Sequence, residues 1–388
     1  MRVAVLAEFY PRAADPVLGV WAHRQALAVR EAGADVRVIV LHRVIPPRSS
    51  ASAGPRALAR AMGTLLTQPR HEVRDGLEIS YVPFVSPSRG RSYASWGAWA
   101  APLARRALTR LRRSFAFDLI HAHNAVPAGD AALRAGTGVP VVVSVHGGDV
   151  LYTAPRLPGG DAVVRRTLAG ARLVLANSSG IERLARAHGA CDLAVVHLGA
   201  DPVAALPASG PPTLITVGHL VARKRHADVI RALARIADRQ PELGYVIVGD
   251  GPERGALAAL AHELGVGDRV SLPGQLEPAA ALRELRRATV FAMPSTEEAF
   301  GVAYVEAMAA GVPAIGCLGE PGPEEIRAVG PGLRLVEPGD IAGLATAIEE
   351  LLEDRRRFSQ AARATVESAF TWRHCGEQTL AAYERALR

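Results

Sequence analysis

Residues 216–233 read TVGHLVARKRHADVIRAL. The β-branched run Leu214–Val217 stops at Gly218, and a helical apolar period over Ala227–Arg239 opens just beyond the turn. Between them Lys224 stands with Arg223 and Arg225 on either side. Backbone N–H groups, a helix dipole and clustered cations together make an anion site, and three cations suit a diphosphate better than one carboxylate. A solvated basic turn is the plainer reading of the loop taken alone. The pattern G-x-x-x-x-G-K-[ST] is absent, so the loop is not a P-loop.

Strand, glycine turn and helix repeat along the whole chain. One set of strands is expected at Val3–Ala7, Val36–Val40, Ile79–Val82, Leu119–His121, Val141–Val145, Leu173–Ala176 and Val195–His197. A second set is expected at Leu214–Val217, Tyr245–Val248, Val270–Leu272, Val290–Met293 and Ala314–Gly316. Helices are expected between them, at Trp21–Ala32, Arg254–Leu264 and Val302–Ala310 among others. Such alternation predicts parallel sheets covered on both faces, and two sets predict two doubly wound α/β domains. The break falls in GADPVAALPASGPP, a linker composition. The expected boundaries are residues 1–200, a linker at 201–212 and a second domain at 213–371. A last helix, about Cys375–Leu387 within 372–388, is expected to dock back on the first domain.

A length of 388 residues suits two domains, and 49% hydrophobic with 21% charged residues excludes a disordered or collagen-like chain. No apolar stretch reaches the roughly 18 residues of a spanning helix. Glu8 breaks the short apolar run at the N-terminus, which is unlike a signal peptide. Cys191, Cys317 and Cys375 form no C-x-x-C, so a reducing, cytoplasmic setting without structural zinc is expected. The net charge of +7 is local: Ser86–Arg113 holds seven arginines and no acid, and outside it the charges balance. Trp96, Trp99, Leu103 and Leu111 fall near one helical face there, with Arg105 and Arg112 opposite. An ordinary covering helix fits this pattern; the sharper reading is contact with an anionic membrane surface. No motif that reads nucleic acid accompanies the patch, so no nucleic-acid partner is expected.

Ligands of open parallel sheets bind beyond the carboxyl ends of the strands. Those ends carry VGDGPE with Gly249 and Gly251, SLPG with Gly274, and STEEAFGVAYVEAMAAG. In the last, Gly301 and Val302 open a helix after Glu298, and Glu306 follows roughly 7–8 Å along the axis. A carboxylate so placed suits two vicinal hydroxyls beside a phosphate; two solvated acids on a surface helix would look the same. VHGGDV puts His146 and Asp149 at another strand end, where glycines allow close backbone approach. His121 and His123 lack a third metal ligand nearby, and the chain has no D-x-D. Ser179 and Glu182 read as a capping box. No G-x-G-x-x-G follows the first strand, which disfavours a dehydrogenase.

Together these residues resemble the retaining glycosyltransferases of the GT-B fold, specifically glycosyltransferase family 4. The resemblance rests on V-G-x-L-x-x-x-K from Val217 to Lys224, V-G-D-G-P-E from Val248 to Glu253, E-x-F-G-x-x-x-x-E from Glu298 to Glu306, and Gly19, D-L-I-H-A-H and H-G-G-D. It implies two Rossmann-like domains facing a cleft. It implies a nucleotide-diphosphate sugar donor, UDP- or GDP-linked, a hydroxyl acceptor, and neither metal nor other cofactor. Position by position, it implies that Lys224 binds the diphosphate and Glu306 the ribose, and that Glu298 and the Phe300–Val302 backbone face the donor sugar and phosphate. His146 lies over the donor sugar. It further implies that Gly218, His219, Arg223, Gly249, Gly251 and Gly274 complete the donor loops, that Gly19 lets the first-domain loop approach the phosphates or the acceptor, and that Asp149 belongs with the acceptor loops. The family usually has Arg where His219 stands, and Gly where Arg225 and Ala299 stand. An epimerase of the same fold and a non-catalytic sugar-nucleotide binder are the competing readings.

Overall fold

The computed structural model describes residues 1–46, 52, 54–203 and 210–388. Residues 204–209 of the expected linker lie outside the described residues. Two compact units are present, Met1–His197 with Trp372–Arg388, and Leu198–Thr371. Leu198–Ala200, read with the first domain, belong to the second unit.

The first unit is built on β1 (Arg2–Ala7), β2 (Asp35–Arg43), β3 (His71–Arg74), β4 (Leu77–Phe84), β5 (Leu119–His123), β6 (Val141–Val145), β7 (Leu173–Ala176) and β8 (Leu193–Val195). Their order is β3-β4-β2-β1-β5-β6-β7-β8. All pairs are parallel except β3 with β4. The second unit holds β9 (Thr213–Val217), β10 (Gly244–Val248), β11 (Val270–Gly274), β12 (Val290–Ala292), β13 (Ala314–Cys317) and β14 (Leu333–Val336), in the order β11-β10-β9-β12-β13-β14. The chain reverses its winding between β1 and β5 in one sheet and between β9 and β12 in the other. Those two switch points are where open α/β sheets leave a crevice.

Several details differ from the sequence expectations. The antiparallel strand β3 was not expected; it pairs with β4 through the two-residue turn Asp75–Gly76, both at positive φ, the Asp-Gly geometry of a tight hairpin. Strand β14 was also missed, and β8 closes at Val195 where Val195–His197 was expected. Helix Ser179–Ala187 is capped by Ser178, whose hydroxyl accepts the Ile181 N–H at 3.3 Å, so the cap is one residue earlier than Ser179.

Helix Trp96–Ser114 buries Trp96, Gly97, Ala100, Ala101, Ala104 and Leu108, while Trp99 is 50% exposed. The expected apolar face through Trp99, Leu103 and Leu111 is therefore not the packing face. Gly97 explains the rotation: a Cβ there would lie 2.4 Å from an Asp130 carboxylate oxygen, so the small residues make the close approach. Helix Trp372–Leu387 belongs to the first unit, where Gly376 sits against the Ala28 carbonyl and Gln25 donates to the Thr379 hydroxyl at 3.0 Å.

Candidate active site

In the second unit the loops after β9 and β10 pack backbone to backbone. Gly218 N–H donates to the Val248 carbonyl at 2.9 Å and Leu220 N–H to the Asp250 carbonyl at 3.0 Å. Gly249 has φ 141°, and a Cβ there would lie 2.0 Å from the Gly218 oxygen; at Gly251 it would lie 2.5 Å from the Leu220 oxygen. These glycines are needed for the loops to meet at all. Gly249 N–H in turn donates to the Gly274 carbonyl at 2.9 Å, which ties in the end of β11.

The β9 loop then makes a short turn, Ala222–Lys224, and enters helix His226–Ile236 through Arg225 at φ 56°. Arg225 holds a backbone conformation that costs a non-glycine residue roughly 1–2 kcal/mol, which accounts for glycine at this position in the family pattern. Its guanidinium is turned to Asp228 at 2.6 Å. His219 Nδ1 lies 3.0 Å from the Asp250 carbonyl, and the His219 carbonyl accepts the Val221 N–H at 2.9 Å.

Lys224 points across the switch point to the loop after β12. Its Nζ donates to Glu298 Oε2 at 2.5 Å. Ser295 donates to the same oxygen at 2.9 Å, and an Arg223 nitrogen lies 3.8 Å away. Glu298 N–H donates to Glu320 at 2.6 Å, and Thr296 N–H to the Arg223 carbonyl at 2.8 Å. Burial pushes the Glu298 carboxyl up, but Lys224, Arg223 and Ser295 outweigh it and hold the group below the usual glutamate range. The helix Val302–Ala309 starts at Gly301, φ 84°, where a Cβ would collide with the Tyr304 ring at 2.3 Å. Phe300 is buried and packs on Phe370, so only its backbone is available to a ligand. Glu306 is exposed on this helix. Ala299 is buried.

In the first unit, His123 and His146 share a hydrogen bond, Nδ1 to Nε2, at 3.0 Å with nearly coplanar rings. His121 lies beside His123 and is held by Tyr383 at 2.6 Å and Ser144 at 2.7 Å. Burial lowers all three imidazole pKa values, to about 3 for His121 and about 4 for His146, so the row is neutral at pH 7. Asp149 is buried; its carboxylate accepts the Val126 N–H at 3.3 Å, and burial raises its pKa to about 6. Gly19, φ 65°, begins helix Val20–Glu31, and a Cβ there would lie 2.2 Å from the Phe9 backbone. Its glycine is thus required by contact within the first unit. Among the described residues no group of three or more His, Cys, Asp or Glu side chains is arranged to hold a metal ion.

The structure brings Lys224, Arg223 and Glu298 together and adds Ser295, Tyr304 and Glu320, none of which the sequence reading selected. Ser295 and Glu320 flank the E-x-F-G motif without a spacing that marks them. His123 was weighed only as a metal ligand, and its hydrogen bond to His146 was not foreseen.

The model of the family described as "Glycosyltransferase Family 4" matches residues 18–203, and that described as "Glycosyl transferases group 1" matches residues 201–365. The 2-deoxystreptamine glucosyltransferase of Streptomyces kanamyceticus is 31% identical over 75% of this chain and 83% of its own. The structure of sucrose-phosphate synthase from Thermosynechococcus elongatus aligns with TM-score 0.78 and 21% identity, over 99% of this chain and 98% of its own. That of Anabaena Alr3699/HepE in complex with UDP and glucose aligns with TM-score 0.72 and 20% identity, over 99% of each chain. With two parallel α/β units and these likenesses across its length, the chain belongs to the GT-B glycosyltransferases of family 4.

Proposed function

We propose that this glycosyltransferase is a retaining enzyme that moves a sugar from a UDP- or GDP-sugar to an acceptor hydroxyl without a metal ion. The observation that carries the reading is the placement of Lys224, Arg223 and Glu298 at the switch point of the second sheet. A leaving diphosphate gains negative charge at the phosphate oxygens. Lys224, Arg223 and the N-terminal ends of helices His226–Ile236 and Val302–Ala309 are the groups that stabilise it there. Donor binding belongs to residues 213–371, with Gly218, His219, Gly249, Gly251 and Gly274 shaping the loops, Glu306 on the ribose, and Glu298 with the Phe300–Val302 backbone toward the sugar. Acceptor binding belongs to residues 1–200 with 372–388, where Gly19 and Asp149 support the loops. His146 serves the donor sugar as a neutral hydrogen-bonding group, because burial keeps it unprotonated. The UDP and glucose bound to the Anabaena protein support the donor class. The arginine-rich segment supports work against an anionic membrane surface from the cytoplasmic side, in synthesis of a cell-surface glycan or glycolipid. No helix among the described residues is long and apolar enough to cross a membrane.

His219 and Ala299, which replace the family's Arg and Gly, favour a second reading as a sugar-nucleotide binder without turnover. Screening UDP-, GDP- and ADP-sugars by thermal shift, then measuring acceptor-dependent release of nucleoside diphosphate, tests the proposal. Stabilisation by a donor and acceptor-dependent release support it. Binding without release across a broad acceptor panel favours the binder, and release independent of any acceptor favours an epimerase or hydrolase.

A further inference from the structure

The outer side of helix Trp96–Ser114 carries a groove of about 700 Å³ lined by Arg105, Arg106, Arg110, Arg113 and Arg134. Ala98, Ala101 and Pro102 form part of its wall, so no large apolar side chain fills it. Arg134 is tied to the buried Asp130 at 2.9 Å. The other four make no ion pair or hydrogen bond with any described residue. Several arginines elsewhere in the chain meet acids: Arg239 meets Glu349, Arg165 meets Asp161 and Arg225 meets Asp228. Here no acid stands on the helix, and Arg106, Arg110 and Arg113 repeat at helical spacing on one stripe. Like charges at that spacing repel one another. Trp99 and Leu103 continue the same stripe toward the N-terminus of the helix, with Trp99 half exposed. Arginine in the last helical turn favours the dipole, but that accounts for Arg112 and Arg113 and not for Arg105, Arg106 and Arg110.

We propose that this groove is a phosphate-binding site for a ligand that presents two or more phosphate groups close together. Guanidinium forks match phosphate oxygens, and several unpaired forks around one groove favour clustered negative charge over a single carboxylate. The four unpaired charges stand on one helix of the first unit and none belongs to the donor loops, so the site holds whether or not the transferase reading does. Clustered phosphate can come from the headgroups of an anionic bilayer or from a soluble polyphosphate. Trp99 beside the arginines suits the bilayer interface, where an aromatic ring rests at headgroup level.

The test uses the full chain at near-physiological ionic strength with three probes: inorganic tripolyphosphate, vesicles with or without phosphatidylglycerol in phosphatidylcholine, and a single-stranded DNA oligomer. R106Q/R110Q/R113Q removes three charges without adding acids at the helix end, and circular dichroism checks its fold. R355Q/R356Q removes exposed charge elsewhere. Binding of tripolyphosphate or of anionic vesicles, weakened about ten-fold or more by the triple change and little by the control, supports the site. Vesicle binding alone assigns the lipid as source; tripolyphosphate binding without vesicle binding assigns the soluble ligand and removes the membrane from the proposed function. Absence of binding to both, equal loss in the control variant, or tighter binding of the DNA than of either probe overturns it.

Discussion

Lys224 and Glu298 form one ion pair across the switch point of the second sheet, Nζ to Oε2 at 2.5 Å, each side chain 11% exposed. The two residues come from loops that follow neighbouring strands, β9 and β12, and the pair joins those loops as well as balancing charge. In the proposed reading the carboxylate neutralises, before a donor arrives, the cation that the diphosphate needs, so the two residues oppose each other in nucleotide binding while both serve transfer.

Glu298→Gln should separate these roles. It releases Lys224 and removes a negative charge beside the phosphates, so nucleoside diphosphate binding should hold or tighten, by up to about ten-fold or 1.4 kcal/mol. Turnover should fall. Calorimetry with UDP or GDP and a turnover assay read the two effects. Weaker diphosphate binding with unchanged turnover would contradict the assignment.

Glu306→Ala should act on the nucleotide alone. A lost hydrogen bond to a charged group costs about 1–3 kcal/mol. The free nucleoside diphosphate should show the full loss, while a diphosphate without ribose should bind as before. Equal losses for both ligands would take Glu306 off the ribose.

The histidine row predicts an acid-sensitive first unit. Burial lowers the pKa of His121, His123 and His146 below the ordinary 6.5. The unfolded chain then takes up protons first as pH falls. Stability is complete above about 6.5 and declines below it, by up to about 1.4 kcal/mol per pH unit for each histidine. Asp149, raised to about 6 by burial, works in the opposite sense and offsets one of the three. Urea unfolding of His123→Gln between pH 6.5 and 4.5 should show a slope shallower by one proton. A slope equal to that of the parent would contradict the buried, neutral state of His123.

Much of the fold was legible because each short apolar run closes on a glycine or polar turn, as at Val141–Val145 and Leu173–Ala176, where expected and observed strands coincide. Strand β3 escaped because HEVR is short, polar and at the sheet edge, although Asp75–Gly76 signalled its hairpin. The packing face of Trp96–Ser114 escaped because large apolar residues were weighted over alanine, and the close approach at Gly97 depends on Asp130, far along the chain. Lys224 and Glu298 were each readable from local motifs. Their pairing was not, since it requires the order of strands in the sheet, which no spacing within either motif encodes.

The donor loops should also be sensitive to glycine loss in proportion to crowding. Gly249→Ala places a Cβ 2.0 Å from the Gly218 oxygen, whereas Gly274→Ala meets nothing closer than Arg254 at 3.8 Å. Gly274→Ala carries the positive-φ penalty of roughly 1–2 kcal/mol. Gly249→Ala should cost at least about 1 kcal/mol more and weaken donor binding as well. Thermal unfolding of the two variants side by side decides it, and equal stability would contradict the packing of the two loops.

The most direct measurement is transfer by Lys224→Ala at saturating donor, with folding checked by circular dichroism. Lys224 is the only lysine in the chain, and its ammonium donates to Glu298 at 2.5 Å where the diphosphate is expected. An ammonium is a compact point charge, while a guanidinium is a wide planar fork. The expected result is a rate reduced by about 10²–10³, restored only in small part by Lys224→Arg, with Arg223→Lys mild by comparison. Near-normal turnover of folded Lys224→Ala would remove Lys224 from the chemistry, and with it the metal-free diphosphate site.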